Sequence, residues 1–362
     1  MMRNRKYEEW KRRMKLLGKE KRVPISGQFE LTARCNFDCK MCYIHNQESN
    51  SYRCRELTTE QWKRIFDEAY DAGMMFATLT GGECLLREDF KELYLHLWQK
   101  RVLITILTNG ALINDDLLKF FKEYPPDSVQ ISLYGNSEGC YRRVTGHSGF
   151  ARVFANAQKL KDAGHDVCFT VTPSKYIVND YIDTLKLIQE NGFENNMGEM
   201  ILAAKQYDAD ATDHYLAEDE IIRLSVERTK RYRQLYENPD IPQPCGSCTE
   251  APLGLGCNAG RGLAVITWEG WMYPCCSAML GGASLLEMSY AEAWEKTKQA
   301  ADEAVRCMEC VDCPYDNVCF KCPAIRALDL KSGHCNPKIC ELTRKLVEAG
   351  VYKLDQPTEP CD

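Results

Sequence analysis

The run Gln28-Phe29-Glu30-Leu31-Thr32-Ala33-Arg34-Cys35-Asn36-Phe37-Asp38-Cys39-Lys40-Met41-Cys42-Tyr43 decides how this chain is read. It opens as a short strand, Gln28 to Leu31, and passes into a loop with three cysteines spaced C-x3-C-x2-C. Three close thiolates on one loop can hold three irons of a 4Fe–4S cluster, leaving the fourth iron without a nearby protein ligand. An open coordination position is where a metal centre does chemistry instead of holding structure together. Zinc is the competing occupant, but structural zinc takes four ligands and usually paired C-x2-C knuckles.

Outward from this run, strands and helices alternate. Helix is expected over 59–72, with Thr58 or Thr59 as N-cap, then strand 76–80, helix 89–100, strand 102–108, helix 114–124, strand 129–133, helix 150–164, strand 167–172 and helix 179–191. A sixth strand is expected over 199–203. Such alternation implies right-handed parallel crossovers. Six units predict an α/β fold, an open partial (β/α)6 barrel of the TIM type, with functional residues at the C-terminal strand ends. The segments that stand out sit there: Cys35 after the first strand, Gly81-Gly82-Glu83 after the second, Asn109 after the third and Ser132 at the end of the fourth.

Before the barrel, residues 7–19 read as a helix with Trp10, Met14 and Leu17 on one stripe and basic residues around them. Such a charge run is a solvated face or a dock for an acidic peptide. After a helix over 218–236, the Pro-rich stretch 238–244 reads as a linker. The expected domains are therefore a basic helix in 1–25, the barrel in 26–237 and a Cys-rich domain in 238–362.

The 362 residues suffice for two domains. The net charge of −6 gives no reason to expect a nucleic-acid partner. No apolar run reaches the ~20 residues of a membrane span, and no signal peptide is visible. A cytoplasmic protein with no membrane partner is expected. Twenty cysteines in a reducing compartment point to metal before disulfides.

The first cysteine run resembles the signature of the radical S-adenosylmethionine (SAM) superfamily. In that family the open iron chelates the methionine moiety of SAM, and one electron releases a 5′-deoxyadenosyl radical that takes hydrogen from substrate. The resemblance implies that Cys35, Cys39 and Cys42 hold the radical cluster. It implies cofactor contacts from Met41, from Gly81, Gly82 and Glu83 (the last to the methionine ammonium), from Ser132 to the ribose and from Arg143 to the carboxylate. Asn109 either reaches the cofactor or caps a turn. Two departures are visible: Cys84 follows Glu83 where many relatives have proline, and Tyr134 stands where relatives often have aspartate.

The later cysteines form C-x12-G-x4-C, Cys257 to Cys275 around Gly270, then C-x2-C-x5-C-x2-C at Cys310, Cys313, Cys319 and Cys322, then Cys340. This resembles the SPASM domain of peptide-modifying radical enzymes. The resemblance implies two auxiliary 4Fe–4S clusters. The outer would use Cys310, Cys313, Cys319 and Cys340, with Cys335 competing for the last place. The inner would use Cys257, Cys275 and Cys322, with Cys248 or Cys245 as a fourth ligand. A zinc ribbon is the alternative for residues 310–322. Cys54, Cys140, Cys168 and Cys361 read as small hydrophobes or free thiols.

The expected activity is modification of a peptide or protein side chain, such as a thioether or carbon–carbon crosslink, with an external electron donor of the flavodoxin or ferredoxin type. Only 34 residues precede Cys35, too few for a fused leader-recognition domain. Anaerobic sulfatase maturation is a second expectation. Relatives of that kind carry an aspartate base where Cys276 stands, so Cys276 is the candidate catalytic group, against a passive buried thiol. Tetrapyrrole or sugar chemistry, and a non-catalytic electron carrier, are further readings.

Overall fold

The computed structural model describes residues 5–44, 55–197, 216–235, 257–277, 279–304, 313–315, 318–319 and 337–351. In chain order the elements are α1 (Arg5–Lys21), β1 (Ser26–Glu30), α2 (Thr59–Asp71), β2 (Phe76–Thr80), α3 (Phe90–Gln99), β3 (Leu103–Thr108) and α4 (Asp115–Glu123). There follow β4 (Ser128–Ser132), α5 (Glu138–Thr145), α6 (Phe150–Asp162), β5 (Val167–Val171), α7 (Tyr181–Glu190), β6 (Glu194–Met197) and α8 (Glu218–Leu235). Then come β7 (Leu263–Ile266), β8 (Trp271–Tyr273), β9 (Ala283–Ser284), α9 (Tyr290–Glu303) and α10 (Pro337–Glu348).

The strands form one sheet in the order β6-β5-β4-β3-β2-β1-β7-β8-β9. Strands β1 to β6 are mutually parallel, and each is joined to the next by a helical crossover. This is the mixed α/β architecture of an open partial TIM barrel. Among the described residues β1 pairs with β2 and β7 while β6 pairs with β5, so the sheet does not close on itself. β6 follows α7 at 194–197, while the strand expected over 199–203 lies outside the described residues.

Helix starts are set by local chemistry. Thr58 and Gln61 form a reciprocal capping box on α2, Asn114 accepts from Leu117 N at the start of α4, and Ser137 caps α5. The apolar faces so oriented meet the sheet: Phe29 of β1 packs edge-on against Phe66 of α2 at 4.9 Å and against Trp62 at 6.1 Å.

The sheet does not end with the barrel strands. β7 adds parallel to β1, and β8 and β9 continue it antiparallel, so residues 258–301 form one compact unit with the first 215. A second unit comprises 216–257 and 302–362, in which α8 and α10 pack together. No helix among the described residues is long and apolar enough to cross a membrane.

Helix α1 is docked at the N-terminal strand ends. Trp10 meets Phe76, the first residue of β2, at 6.2 Å. Tyr7 Oη donates to Asp127 Oδ1 at 2.7 Å and Lys11 Nζ pairs with Asp127 Oδ2 at 3.0 Å, just before β4. The buried contact is made by Gly18 against Ile25, while Leu17 is 46% exposed and Trp10 40%. Of the expected Trp10–Met14–Leu17 stripe, Trp10 packs on Phe76 and Met14 is half-buried, while Leu17 turns outward and Gly18 takes the buried place. The helix also stands at the end of the barrel opposite the cysteine loop, so an acidic peptide held there would be remote from that loop.

Candidate active site

The parallel strands deliver the expected segments to one end. The cysteine loop leaves β1, the Gly81-Gly82-Glu83 turn leaves β2, Asn109 leaves β3 and Ser132 ends β4. Beyond β1 and β2 the ladder runs on: Leu31 N donates to Thr80 O at 2.9 Å, Gly82 N to Thr32 O at 2.8 Å and Glu83 N to Arg34 O at 2.8 Å. The two glycines are required here. A Cβ on Gly81, whose φ is +135°, would lie 2.3 Å from Thr32 O, and one on Gly82 would lie 2.4 Å from Arg34 O. Their smallness lets the turn seat against the backbone that leads into Cys35.

Cys35, Cys39 and Cys42 are half-buried, and each thiol feels the others electrostatically. Burial pushes the Cys35 thiol up to about 12, aided by Glu83 and Cys42 and opposed by the Phe37 N–H. Burial likewise raises Cys39. Thiols so placed stay protonated until a metal supplies compensating charge. Three thiols on one loop can each bind a different iron of a cluster.

Glu83 supplies a second test. Its carboxylate is buried, 1% exposed, and all its partners are neutral. Leu85 N donates to Oε1 at 3.0 Å, Asn109 N to Oε2 at 2.7 Å, and Thr108 Oγ1 lies 2.9 Å from both oxygens. The Cys84 thiol lies 3.9 Å from Oε1. Burial raises its pKa above the ordinary glutamate value, and these hydrogen bonds oppose the rise. No cation pairs with it among the described residues. A buried carboxylate held by dipoles alone is costly until a cation arrives, and the ammonium of an amino acid is such a cation. The residues thus fit both a cluster and an ammonium-bearing cofactor.

The other expected residues divide. Asn109, 9% exposed, joins Glu83 to the cysteine loop: its N–H donates to Glu83 and its Nδ2 to Asn36 Oδ1 at 2.7 Å. Ser132 ends β4 two residues before Tyr134, whose phenol is raised by burial and by Cys39, Cys42 and Cys35. Met41 is buried within the loop. Arg143 is engaged elsewhere: Nη2 pairs with Asp180 at 2.6 Å and Nε donates to Tyr176 O at 3.1 Å, with the side chain 49% exposed. The expected contact to a cofactor carboxylate is not what this geometry presents, because Asp180 at the start of α7 already takes the guanidinium.

Cys84, in the place of proline, is a buried thiol 3.5 Å from Leu107 O. Cys140 and Cys168 are buried apolar thiols, as expected. Cys276 is half-buried and lies within electrostatic reach of Tyr43, beside Cys42; burial raises the Tyr43 phenol, with Glu30, Cys276 and Cys42 adding.

Sequence reasoning missed several residues around the loop. Trp268, at the turn between β7 and β8, is fully buried, and Cys42 and Tyr43 pack against its cluster. Glu56 takes Arg34 on one oxygen at 3.1 Å and on the other at 3.2 Å, hydrogen-bonds Thr32, and lies 3.7 Å from Arg87 Nη1. Arg87 also donates to Leu31 O and Leu57 O.

Of the later cysteines, Cys275 follows the β7–β8 hairpin, whose turn needs Gly270 at φ +85°. Cys275 Sγ accepts from Ser277 N at 3.3 Å. In the second unit, Thr343 Oγ1 reaches Cys319 Sγ at 3.6 Å, and Cys340 lies one turn earlier on the same helix, α10. Cys257 and Cys313 are half-buried. Cys245, Cys248, Cys310, Cys322 and Cys335 lie outside the described residues, as do Cys54 and Cys361.

The fold is an open partial barrel that carries a three-cysteine loop and a buried glutamate at its C-terminal strand ends. Residues 29–188 match the Radical SAM superfamily, a match that marks the chain as an S-adenosylmethionine-dependent enzyme and implies a 4Fe–4S cluster. It is 23% identical over 316 residues to the AdoMet-dependent heme synthase of Methanosarcina barkeri, covering 82% of this chain and 90% of that one. It is 31% identical over 171 residues to the PqqA peptide cyclase of Ruegeria pomeroyi, covering 47% of this chain and under half, 45%, of the cyclase. Its fold is similar to that of Streptococcus suis SuiB bound to the precursor peptide SuiA, with TM-score 0.63 and 17% identity over 88% of this chain and 76% of SuiB.

Proposed function

We propose that this enzyme modifies a side chain of a peptide or protein by radical chemistry. The observation that carries the reading is Glu83: a buried carboxylate with only neutral partners, tied through Asn109 to a loop of three cysteines. Cys35, Cys39 and Cys42 would hold the cluster, and Glu83 would take the ammonium of the cofactor. Gly81 and Gly82 fix the turn that carries Glu83, and Ser132 remains the candidate for the ribose. Together, cluster and cofactor supply hydrogen-atom abstraction from an unactivated carbon. The protein's part is to aim it and to keep water out.

The likeness to PqqA peptide cyclase and to a peptide-bound SuiB supports a peptide substrate. The open barrel edge gives an extended chain room to lie along a strand. Cys257, Cys275, Cys310, Cys313, Cys319, Cys322 and Cys340, with Cys248, are proposed to hold two auxiliary clusters in a SPASM-type region over 238–362. An electron donor of the flavodoxin or ferredoxin type would reduce the enzyme. Cys276 is the candidate for taking a proton from substrate; its reach to Tyr43 supports this.

The test is co-expression with short peptides encoded beside the enzyme, with mass measurement. A crosslinked product should weigh about two mass units less than its precursor, the trace of two hydrogens removed. Unchanged masses, with deuterium passing to 5′-deoxyadenosine from a labelled tetrapyrrole, would favour the second reading, which the long alignment with heme synthases supports.

A further inference from the structure

Asn109 makes four polar contacts, and together they fix which way its amide faces. Ala111 N donates to Oδ1 at 2.9 Å, which identifies that atom as the oxygen. The Nδ2 group must then point at the cysteine loop, where it has two hydrogens to place. One goes to Asn36 Oδ1 at 2.7 Å. The other faces Cys35 Sγ at 3.8 Å, a long contact suited to the larger sulfur atom. The main-chain N–H donates to Glu83 Oε2 at 2.7 Å.

Cys35 thus receives donors of two kinds. Phe37 N, at 3.4 Å, belongs to its own loop. Asn109 comes from the end of β3, 74 residues away, and is 9% exposed. We propose that Asn109 is a positioning residue that sets the reduction potential of the cluster held on Cys35, Cys39 and Cys42, by donating an amide hydrogen to the Cys35 sulfur. The proposal rests on the reading of those three cysteines as cluster ligands.

The physical argument is short. A hydrogen bond to a ligating sulfur draws charge from it and favours the reduced, more negative cluster, so it raises the potential. Burial keeps water from supplying a substitute donor. The side chain is held in this pose by Ala111 N on its oxygen and Asn36 Oδ1 on its nitrogen, while the main-chain N–H anchors its root on Glu83. Partners one step removed from a metal tune it in this way.

The experiment is a potentiometric titration of the anaerobically reconstituted full chain, followed by the EPR signal that changes when S-adenosylmethionine is added. Asn109→Ala should move the midpoint to more negative potential at unchanged iron and sulfide. Asn109→Asp, the same shape with an oxygen in place of the donor, should move it further. Asn36→Ala, which removes the neighbouring acceptor but leaves the donor, should titrate with wild type. Wild-type potentials in both Asn109 variants, with full iron, overturn the proposal. If neither variant assembles the cluster, the decision passes to Asn36→Ala protein grown with side-chain 15N-asparagine. Pulsed EPR of its reduced cluster should show a coupled 15N, and absence of that coupling overturns the proposal. A wild-type enzyme with no SAM-responsive signal overturns the cluster reading itself, and the proposal with it.

Discussion

Glu83 is buried and Glu56 half-buried beside the cysteine loop, and among the described residues only Glu56 of the two has cations for partners. Arg34 grips both its oxygens and Arg87 stands 3.7 Å away. Arg87 in turn clasps Asp89, whose other contact is Thr59. The network joins the residue before Cys35, the entry to α2 and the entry to α3. Glu83, on the other side, receives only N–H, O–H and thiol donors. A buried charge matched within the protein holds structure; a buried charge left with dipoles is prepared for a ligand. Charge compensation, more than burial, separates the two roles.

The sharpest way to break this comparison is Glu56→Ala. It leaves the half-buried Arg34 without its carboxylate while Arg87 keeps Asp89, and removing one partner of a buried pair costs up to about 3–5 kcal/mol. Thermal denaturation should show that loss, while the affinity of the surviving folded protein for S-adenosylmethionine stays close to wild type. Glu83→Ala should do the reverse. It should weaken S-adenosylmethionine binding by about 1.5–3 kcal/mol, or roughly 10- to 150-fold in Kd by calorimetry. Its melting temperature should fall less than that of Glu56→Ala. If Glu83→Ala unfolds the protein while binding per folded molecule is unchanged, the assignment of roles is reversed. The smallest effect is expected at the far end of the barrel. Asp127→Ala removes the acceptor of Tyr7 and Lys11, and should cost roughly 0.5–1.5 kcal/mol with no change in cofactor affinity. A change in affinity there would show that α1 communicates with the cysteine loop.

The cysteines themselves allow a coarser check on the same contrast. Changing Cys35, Cys39 and Cys42 together to Ala should abolish 5′-deoxyadenosine formation and remove about a third of the iron of a three-cluster protein. Persistence of the cleavage would move the radical site away from β1.

What could be read from sequence follows the reach of the signals. The strands and crossover helices from 59 to 191 were legible because each is a local pattern closed by a local cap, such as Asn114 on α4. Helix α5 was missed: eight residues with one cap give little periodicity. The strands β7 to β9 were missed because they are four, three and two residues long and β7 pairs with β1 from far along the chain. At the site, the cysteines and Glu83 were legible as candidates from their local motifs, although Thr108 and Asn109, which hold Glu83, lie 25 and 26 residues on. Spacing could not show that Arg143 pairs with Asp180, 37 residues on. It passed over Glu56, 22 residues from Arg34, among charged residues that look alike from sequence.

The pairing of β7 with β1 also has a consequence in time. Roughly 230 residues separate the end of β1 from the start of β7. At ~5–20 residues per second of synthesis, β1 waits roughly 10–50 s for that neighbour. During the wait its β7-facing edge is bare, and the loop that follows lacks the cover of Trp268. An unpaired strand edge is a template for other chains. A nascent chain arrested before residue 258 should therefore be the most aggregation-prone species of this protein, and release past residue 275 should relieve it. Pelleting of ribosome-free arrest products of graded length would measure that, with equal solubility at both lengths counting against it.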